Sequence, residues 1–188
     1  MRTEQIEIYK FEDLSEEARE KAISDLRESE FYLDYEWFDY LYEDFKEELK
    51  DKGISCNTFY FDLYGNEFNI DKPYIEDNNK FLKNAIGSKY LIMFNLENKE
   101  FEVSLSENCY TDFEVLENED KELTEEKYKA NTELEIKINE EADEYLSNLK
   151  RDFLKRLNND YEYLQSDEAI REHIEANEFE YLKNGEQY

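Results

Sequence analysis

The stretch that decides the fold prediction is residues 34–52, DYEWFDYLYEDFKEELKDK. Apolar side chains recur in it three or four positions apart, the spacing of one face of an α-helix; they are Phe38, Leu41, Tyr42, Phe45 and Leu49. Acidic side chains follow a similar spacing on another face; they are Glu36, Asp39, Glu43 and Glu47, flanked by Asp44 and Glu48. The two patterns predict an amphipathic helix with a buried apolar stripe and an exposed row of carboxylates.

The acids in this stretch are densely spaced. Residues 34–51 contain eight of them, about one per 3.4 Å along a helix that rises ~1.5 Å per residue. A single DNA strand carries one phosphate per ~3.4 Å of its axis. Two interpretations follow: the row imitates the charge spacing of a nucleic acid, or it is the solvated face of an acidic protein.

The charge of the chain limits its partners. Its 188 residues include 51 Asp and Glu against 23 Lys and Arg, a formal net charge of −28. The acidity is spread along the sequence, with −10 in residues 1–52, −10 in residues 53–138 and −8 in residues 139–188. Such a field repels nucleic acids and anionic membranes and attracts basic surfaces. We therefore expect a basic protein as partner, with no direct binding of nucleic acid or membrane.

The remaining segments predict an α+β fold. Ser15 is placed to cap a helix that, with residues 34–52, makes an N-terminal helix pair. Residues 4–10 read as a short strand, and Pro73 is placed to begin a helix that ends at Gly87. Alternating apolar residues predict an antiparallel sheet of about four to six strands. Its segments are ISCNTFYFDLYGNEFNI (54–70), KYLIMFNL (89–96), EFEVSLS (100–106), YTDFEVLE (110–117) and TELEIKI (132–138), with residues 118–131 as a charged insertion.

Helical spacing returns in the last fifty residues, from Ala142 to Leu157 and again after a cap at Ser166. We expect one α+β domain over residues 1–138, with the helix pair in 14–52 and the sheet in 54–138. Residues 139–188 form a helical C-terminal arm. The periodicity leaves open whether the arm packs on the domain or mediates self-association as a homodimer.

Candidate catalytic groups are few. His173 is the single histidine, and a zinc site of the usual kind needs further His or clustered Cys ligands. Cys56 and Cys109 are far apart in sequence, and we expect reduced thiols buried as small apolar groups. Asp62 with Glu67 is a pair that could hold a metal or act as acid and base, unless both are ordinary outward-facing strand residues. We expect no catalytic residue, no metal and no cofactor, and we keep a carboxylate- or metal-dependent enzyme as an alternative.

Two further acidic segments, residues 112–126 and 160–180, contain interleaved aromatic residues. Carboxylates beside aromatic rings suit the capture of Arg- and Lys-rich surfaces by ion pairs and cation–π contacts. Solvated helix faces and a charged loop are the alternative. The candidate partner-binding residues are therefore Glu36, Asp39, Glu43, Asp44, Glu47, Glu48, Asp112, Glu114, Glu117, Glu119, Asp120, Glu168, Glu172 and Glu175.

Four segments carry a resemblance: DLSEEAREKAI (13–23), DYEWFDYLYEDFKEELKDKGI (34–54), FYFDL (59–63) and YEYLQSDEAIREHIEANEFEYLKNGE (161–186). They resemble a family of small, largely uncharacterised phage and prophage proteins, some of them labelled antitoxins. The resemblance covers both ends and the first strand, about half of the chain. It departs at Tyr64, Gly65 and Asn66 and does not extend through the middle, about residues 66–135. It implies a phage context and supplies no catalytic residue.

Acidity in a phage context is similar, in charge alone, to anti-restriction and anti-CRISPR proteins that mimic DNA. We therefore expect an acidic inhibitor that binds the basic nucleic-acid-binding surface of a host nuclease or effector, by DNA mimicry or steric occlusion. An antitoxin-like partner of a basic toxin is the first alternative. No run approaches the ~18 apolar residues of a membrane span, and residues 1–10 lack a signal-peptide core. We expect a cytoplasmic protein, in the host cell if it is phage-encoded.

Overall fold

The computed structural model describes residues 6–29, 32–33, 37–88, 100–106, 109–116 and 125–188. Five α-helices are complete within these residues: α1 (Glu16–Arg27), α2 (Asp39–Asp51), α3 (Asn78–Ala85), α4 (Glu125–Leu164) and α5 (Asp167–Ala176). Eight short strands accompany them: β1 (Tyr9–Lys10), β2 (Ile54–Ser55), β3 (Thr58–Asp62), β4 (Glu67–Asp71), β5 (Tyr74–Ile75), β6 (Glu100–Leu105), β7 (Thr111–Leu116) and β8 (Glu180–Tyr181). The fold class is α+β, as the sequence predicts.

The strands of the described residues form four separate two-stranded antiparallel sheets. They pair β1 with β8, β2 with β5, β3 with β4 and β6 with β7. The prediction of one antiparallel sheet with four to six strands is therefore wrong for this part of the chain. KYLIMFNL (89–96), one of the predicted strands, lies outside the described residues.

Side chains of α4 occupy the outer edge of β7, which explains why that sheet ends there. Three alternate N–H groups of β7 donate to α4 side chains placed four residues apart: Thr111 to Asp143 at 2.6 Å, Phe113 to Asn139 at 2.8 Å and Val115 to Glu135 at 3.1 Å. Two strand residues advance ~6.6–6.8 Å and four helix residues ~6.0 Å. The spacing of alternate N–H groups on β7 therefore matches the spacing of the acceptors on α4. Because these donors are already satisfied, the edge offers no ladder to a further strand.

The chain divides into two compact units, and unit 1 comprises Met1–Phe38 and Leu157–Tyr188. Ser15 caps α1 by accepting the N–H of Ala18 at 3.3 Å, and Ser166 caps α5 in the same way. Both predicted caps are confirmed. The helices share an apolar core with the β1–β8 pair: Phe11, Leu14, Ala18, Ala22, Ile23, Leu26, Tyr32, Ile170, Ile174 and Tyr181. The C-terminal turn lies close against α1, since a Cβ at Gly185 would lie 2.2 Å from the carbonyl oxygen of Ala18.

Unit 2 comprises Asp39–Arg156 and has an aromatic core. The predicted apolar stripe is buried along α2, at Leu41, Tyr42, Phe45 and Leu49, whereas Phe38 precedes the helix and is half-buried. The Phe45 ring stacks on Phe153 of α4 with 4.2 Å between centroids and 13° between planes. Two rings from the β3–β4 hairpin, Phe59 and Phe68, meet both of these rings edge-on.

Helix α4 is longer than the sequence predicts. It begins at Glu125, so residues 125–131 of the expected insertion and the expected last strand TELEIKI (132–138) are helical. Leu134 and Ile138 are buried, which fits both the two-residue repeat of a strand and the four-residue repeat of a helix. Ile136 would share their buried face in a strand, but it is 54% exposed, as the helical repeat requires. The helix continues past residue 138, where the sequence suggested a domain boundary, and contributes residues to both units.

Three smaller differences concern the other elements. The expected helix pair, α1 and α2, falls in different units. Pro73 is followed by β5, and α3 begins instead after Asp77, whose carboxylate accepts the N–H of Lys80 at 2.9 Å. The expected strand over residues 4–10 is reduced to β1, with residues 1–5 outside the described part. Within the described residues, no helix has an apolar stretch long enough to cross a membrane.

Candidate functional site

The acidic row of α2 faces solvent. Asp39, Glu43 and Glu47 follow one another at four-residue steps and are exposed, as is Asp44 beside them. The same helix buries its apolar stripe, so the pattern that makes the helix amphipathic also orients the carboxylates outward. Glu36, the expected first member of the row, lies outside the described residues.

Basic side chains pair with half of the acids on α2. Three of its six acids form ion pairs: Glu43 with Lys46 at 2.8 Å, Asp51 with Lys80 at 3.8 Å, and Glu48 with Lys52 at 3.2 Å and Arg156 at 2.7 Å. The other three, Asp39, Asp44 and Glu47, form no ion pair with any described residue. Three carboxylates over the ~20 Å length of α2 give about half the charge density of a DNA strand.

Glu48 contributes to the packing of unit 2. Burial would raise its pKa, but hydrogen bonds from Arg156 and Lys52 outweigh burial and hold the pKa of Glu48 below its usual value. The Arg156 guanidinium also lies 4.5 Å from the ring centroid of Phe45 and 5.7 Å from that of Phe153. Because its carboxylate is engaged within the unit, Glu48 is the weakest member of the predicted partner-binding set.

The β6–β7 hairpin presents a second acidic face. Asp112 and Glu114 are exposed and alternate with buried residues of β7. Glu102 of β6 is also exposed and lies directly opposite Glu114. Directly opposed like charges destabilise a strand pair, so this face is costly to the fold. Three further candidates lie outside the described residues: Glu117, Glu119 and Asp120.

Glu102 is a candidate that the sequence analysis missed. The alternation of EFEVSLS (100–106) already places it on the outward face of a strand. Its position opposite Glu114 follows only from the strand register, which a single sequence does not give.

A third acidic row lies on α5, in unit 1. Glu168, Glu172 and Glu175 are exposed at spacings of four and three residues, which places them on one side of the helix. The hydroxyl of Tyr163 donates to Glu172 at 3.2 Å, and this hydrogen bond raises the pKa of Tyr163. Tyr163 is itself exposed, so the row combines carboxylates with an accessible aromatic ring.

The two units carry equal net charge. Unit 1 has 21 acidic and 7 basic residues, and unit 2 has 30 and 16, so each carries −14. Unit 1 is much the shorter in sequence, and its charge per residue is correspondingly higher. The acidic field is thus a property of both units and not of one appended segment.

The candidate catalytic residues lie in regular secondary structure, Asp62 and Glu67 in unit 2 and His173 in unit 1. Asp62 and Glu67 lie opposite each other on β3 and β4, both exposed, and Asp62 accepts the N–H of Tyr64 at 2.9 Å. His173 makes ring contacts with Tyr32 at 5.1 Å and Phe179 at 5.7 Å. The residues that the structure describes include no group of three or more acidic, His or Cys side chains that could hold a metal ion. The expectation of no catalytic activity stays a prediction.

Both cysteines are free thiols. Burial raises the pKa of Cys56 to about 11 and also raises that of Cys109. Cys109 is buried and Cys56 is half-buried, so both thiols are protonated at neutral pH and poorly reactive. The predicted burial is confirmed for Cys109, whereas Cys56 is only half-buried.

Comparison with known proteins gives no family for the chain. No protein-family model matches it, and neither a curated protein nor a solved structure matches it. The resemblance to phage proteins therefore stays a prediction, and a function has to be argued from the surfaces described above.

Proposed function

We propose that the protein is an acidic inhibitor that binds the basic nucleic-acid-binding surface of a host defence protein and blocks it. The observation that supports this proposal is the exposed row on α2, in which Asp39, Glu43 and Glu47 succeed one another every four residues. Four residues of helix rise ~6 Å, so the row sets charges at regular intervals over ~12 Å. Basic grooves that track a nucleic-acid backbone also bind charges spaced at regular intervals.

The ion pairs on α2 leave its row of carboxylates available to a basic partner. The Lys46–Glu43 pair is exposed on both sides, with side-chain exposures of 36% and 73%. Exposed pairs contribute only ~0.2–1 kcal/mol, so a partner lysine or arginine can replace Lys46 at little cost. Long-range attraction from the net charge of −28 adds to the association rate and not to any single contact.

A basic toxin is the alternative target, which would make the protein antitoxin-like. It would use the same carboxylates on a smaller surface. A carboxylate- or metal-dependent enzyme is the third candidate, with Asp62 and Glu67 as its pair. The identity of the captured partner separates the first two, and the thermal stability of the protein with added Mg²⁺ or Mn²⁺ tests the third.

Two charge-reversal variants test the α2 row. The first replaces Asp39, Glu43, Asp44 and Glu47 with Lys. The second is a matched control that replaces four exposed acids of unit 1 with Lys: Glu12, Asp13, Glu20 and Glu28. Each variant changes the net charge from −28 to −20, so both weaken long-range attraction equally.

The readout is capture from a bacterial lysate, followed by the Kd of each variant for the captured nucleic-acid-binding protein. Four lost contacts of ~0.2–1 kcal/mol, together with new repulsion, should weaken binding by the α2 variant at least about tenfold. The control should lose no more than about threefold. Equal losses in the two variants would mean that net charge alone drives binding, and the α2 row would no longer support the proposal. Circular dichroism confirms that each variant is folded.

A further inference from the structure

The β3–β4 hairpin has two faces of opposite character. Its inner face carries buried apolar residues, among them Phe59 and Phe68. On its outer face Tyr60 lies opposite Asn69 and Asp62 lies opposite Glu67, and all four are exposed. Tyr64 in the connecting turn is 100% exposed and Tyr60 61% exposed. The outer face therefore presents the Tyr60 ring on the same side as two carboxylates, and the adjoining turn adds a second accessible ring at Tyr64.

A hydrogen bond within the turn orients the Asp62 carboxylate in the free protein. One oxygen of Asp62 accepts the N–H of Tyr64 at 2.9 Å. The other lies 2.7 Å from the position that a Cβ would take at Gly65, so the carboxylate would have to shift if a side chain stood there. Glycine thus leaves room for the carboxylate over the turn. A group that is already ordered loses less conformational entropy when it binds.

The chemistry of this face suits a guanidinium group. Tyr60 and Asp62 are two residues apart on one strand face, ~6.6–6.8 Å along the strand, and Glu67 lies diagonally across from Tyr60. A planar guanidinium can stack on a ring while its N–H groups reach a carboxylate, which a compact lysine ammonium does less well. Charge complementarity also favours a basic occupant, since the face carries two negative charges and the protein carries −28.

We propose that the outer face of the β3–β4 hairpin binds arginine side chains of a basic segment on the partner protein. Tyr60 and Tyr64 supply the rings, and Asp62 and Glu67 supply the carboxylates. This inference rests on the proposed capture of a basic surface and names the side chain that the hairpin selects. The hairpin face thereby adds a preference for arginine to the non-selective attraction of the acidic rows.

Two peptides of equal charge test the preference, nona-arginine and nona-lysine, titrated by calorimetry at low salt. The variant Tyr60→Ser/Tyr64→Ser removes both rings. The matched control Tyr74→Ser/Tyr128→Ser removes two other exposed rings, from β5 and α4, with exposures of 54% and 65%. A third variant, Tyr60→Phe/Tyr64→Phe, keeps the rings and loses the hydroxyls. Circular dichroism confirms the fold of each.

Each ring should contribute roughly two- to fivefold to arginine binding. The Ser variant should therefore lose about four- to twenty-five-fold for nona-arginine and less than about twofold for nona-lysine. The Phe variant and the control should stay within about twofold of the native protein for both peptides.

Three results would overturn the inference: a Ser variant that matches the control, a Ser variant that loses both peptides equally, or a Phe variant as weak as the Ser variant. If only this inference fails, the native protein should still bind both nona-arginine and nona-lysine. If the native protein binds neither peptide at low salt, capture of basic surfaces fails as well, and the proposed function with it.

Discussion

Arg156 and Glu48 are 108 residues apart in the chain and joined by a hydrogen bond of 2.7 Å. Lys52 pairs with the same carboxylate at 3.2 Å. Because the Arg156 guanidinium also lies 4.5 Å from the Phe45 ring centroid, one side chain fastens α4 to α2 by charge and by ring contact. An acid that the sequence assigns to partner binding is therefore part of the packing of unit 2.

Replacement of Arg156 should destabilise the protein measurably. Arg156→Ala loses an ion pair of ~0.2–1 kcal/mol and a cation–π contact of ~0.5–1 kcal/mol, so we expect a loss of about 0.7–2 kcal/mol in the free energy of unfolding. Arg156→Lys keeps the charge but loses the planar stacking, and should cost about half as much. Urea denaturation measures both. Arg151→Ala, an exposed change on the same helix, should stay within about 0.5 kcal/mol and is the control.

The stability that Glu48 contributes should depend on pH. Its pKa is lowered from the usual 4.5 by the hydrogen bonds from Arg156 and Lys52, which outweigh burial. A depressed pKa means that the contribution is fully present above 4.5, and that it is lost as the pH falls through the lower, folded-state pKa. Glu48→Gln should therefore be less stable than the native protein near neutrality, by about 1 kcal/mol, and the gap should close on acidification.

Urea denaturation across the acidic range measures this gap. Glu47→Gln removes an exposed carboxylate that has no ion pair among the described residues, and it should show little difference from the native protein at any pH. A Glu48→Gln deficit that persists unchanged well below pH 4.5 would contradict the assignment.

Replacement of Asn139 by Ala should destabilise the protein. Its side-chain oxygen accepts the N–H of Phe113 at 2.8 Å, and Phe113 is almost fully buried. Asn139→Ala leaves that donor without a partner, which costs ~1–3 kcal/mol. Asn139→Asp keeps an acceptor but creates like-charge pairs with the acids four residues away on either side, at a few tenths of a kcal/mol each.

Amide hydrogen exchange tests this prediction because it reports the protection of each backbone N–H separately. The Phe113 amide should exchange faster in Asn139→Ala and remain protected in Asn139→Asp. Glu140→Ala changes the exposed neighbour on α4 and is the control, expected to leave that amide unchanged. Unaltered protection of Phe113 in Asn139→Ala would show that the α4 side chains are not needed at the β7 edge.

The features of the fold that the sequence predicts correctly depend on residues that lie close together in the chain. The stripe of α2 and the caps at Ser15 and Ser166 are fixed by residues within one or two helical turns, and the structure contains them as predicted. Phe38 is the exception on the stripe, because α2 begins one residue after it and the helical repeat does not orient its side chain.

The part that sequence does not predict depends on contacts between distant residues. The β7 edge is occupied by side chains that lie 20 to 32 residues further along the chain, and no local sequence pattern predicts these hydrogen bonds. The start of α4 is ambiguous for a different reason: Leu134 and Ile138 satisfy two periods at once, and only the exposure of Ile136 decides between them. The pairing of Glu48 with Arg156 is equally remote in sequence, so the sequence does not predict that this candidate site residue is half-buried and paired within unit 2.

Binding of the partner should be sharply dependent on salt and competitive with nucleic acid. The exposed acids of α2 and the net charge of −28 motivate this prediction. The Debye length shrinks from ~10 Å at 0.1 M salt to ~3 Å at 1 M, so a contact between exposed charges must weaken across that range. Glu43→Lys alone should weaken binding only modestly, since exposed pairs are worth ~0.2–1 kcal/mol each.

The measurement is a titration of the captured partner at both salt levels, with and without competing DNA or RNA. Mimicry requires that nucleic acid and this protein exclude each other, because both would occupy the same basic groove. Steric occlusion allows the affinity to depend less on salt while competition persists. If the affinity ignores salt and nucleic acid binds alongside this protein, the acidic rows are only solvated faces, and a shape-based interface must replace them.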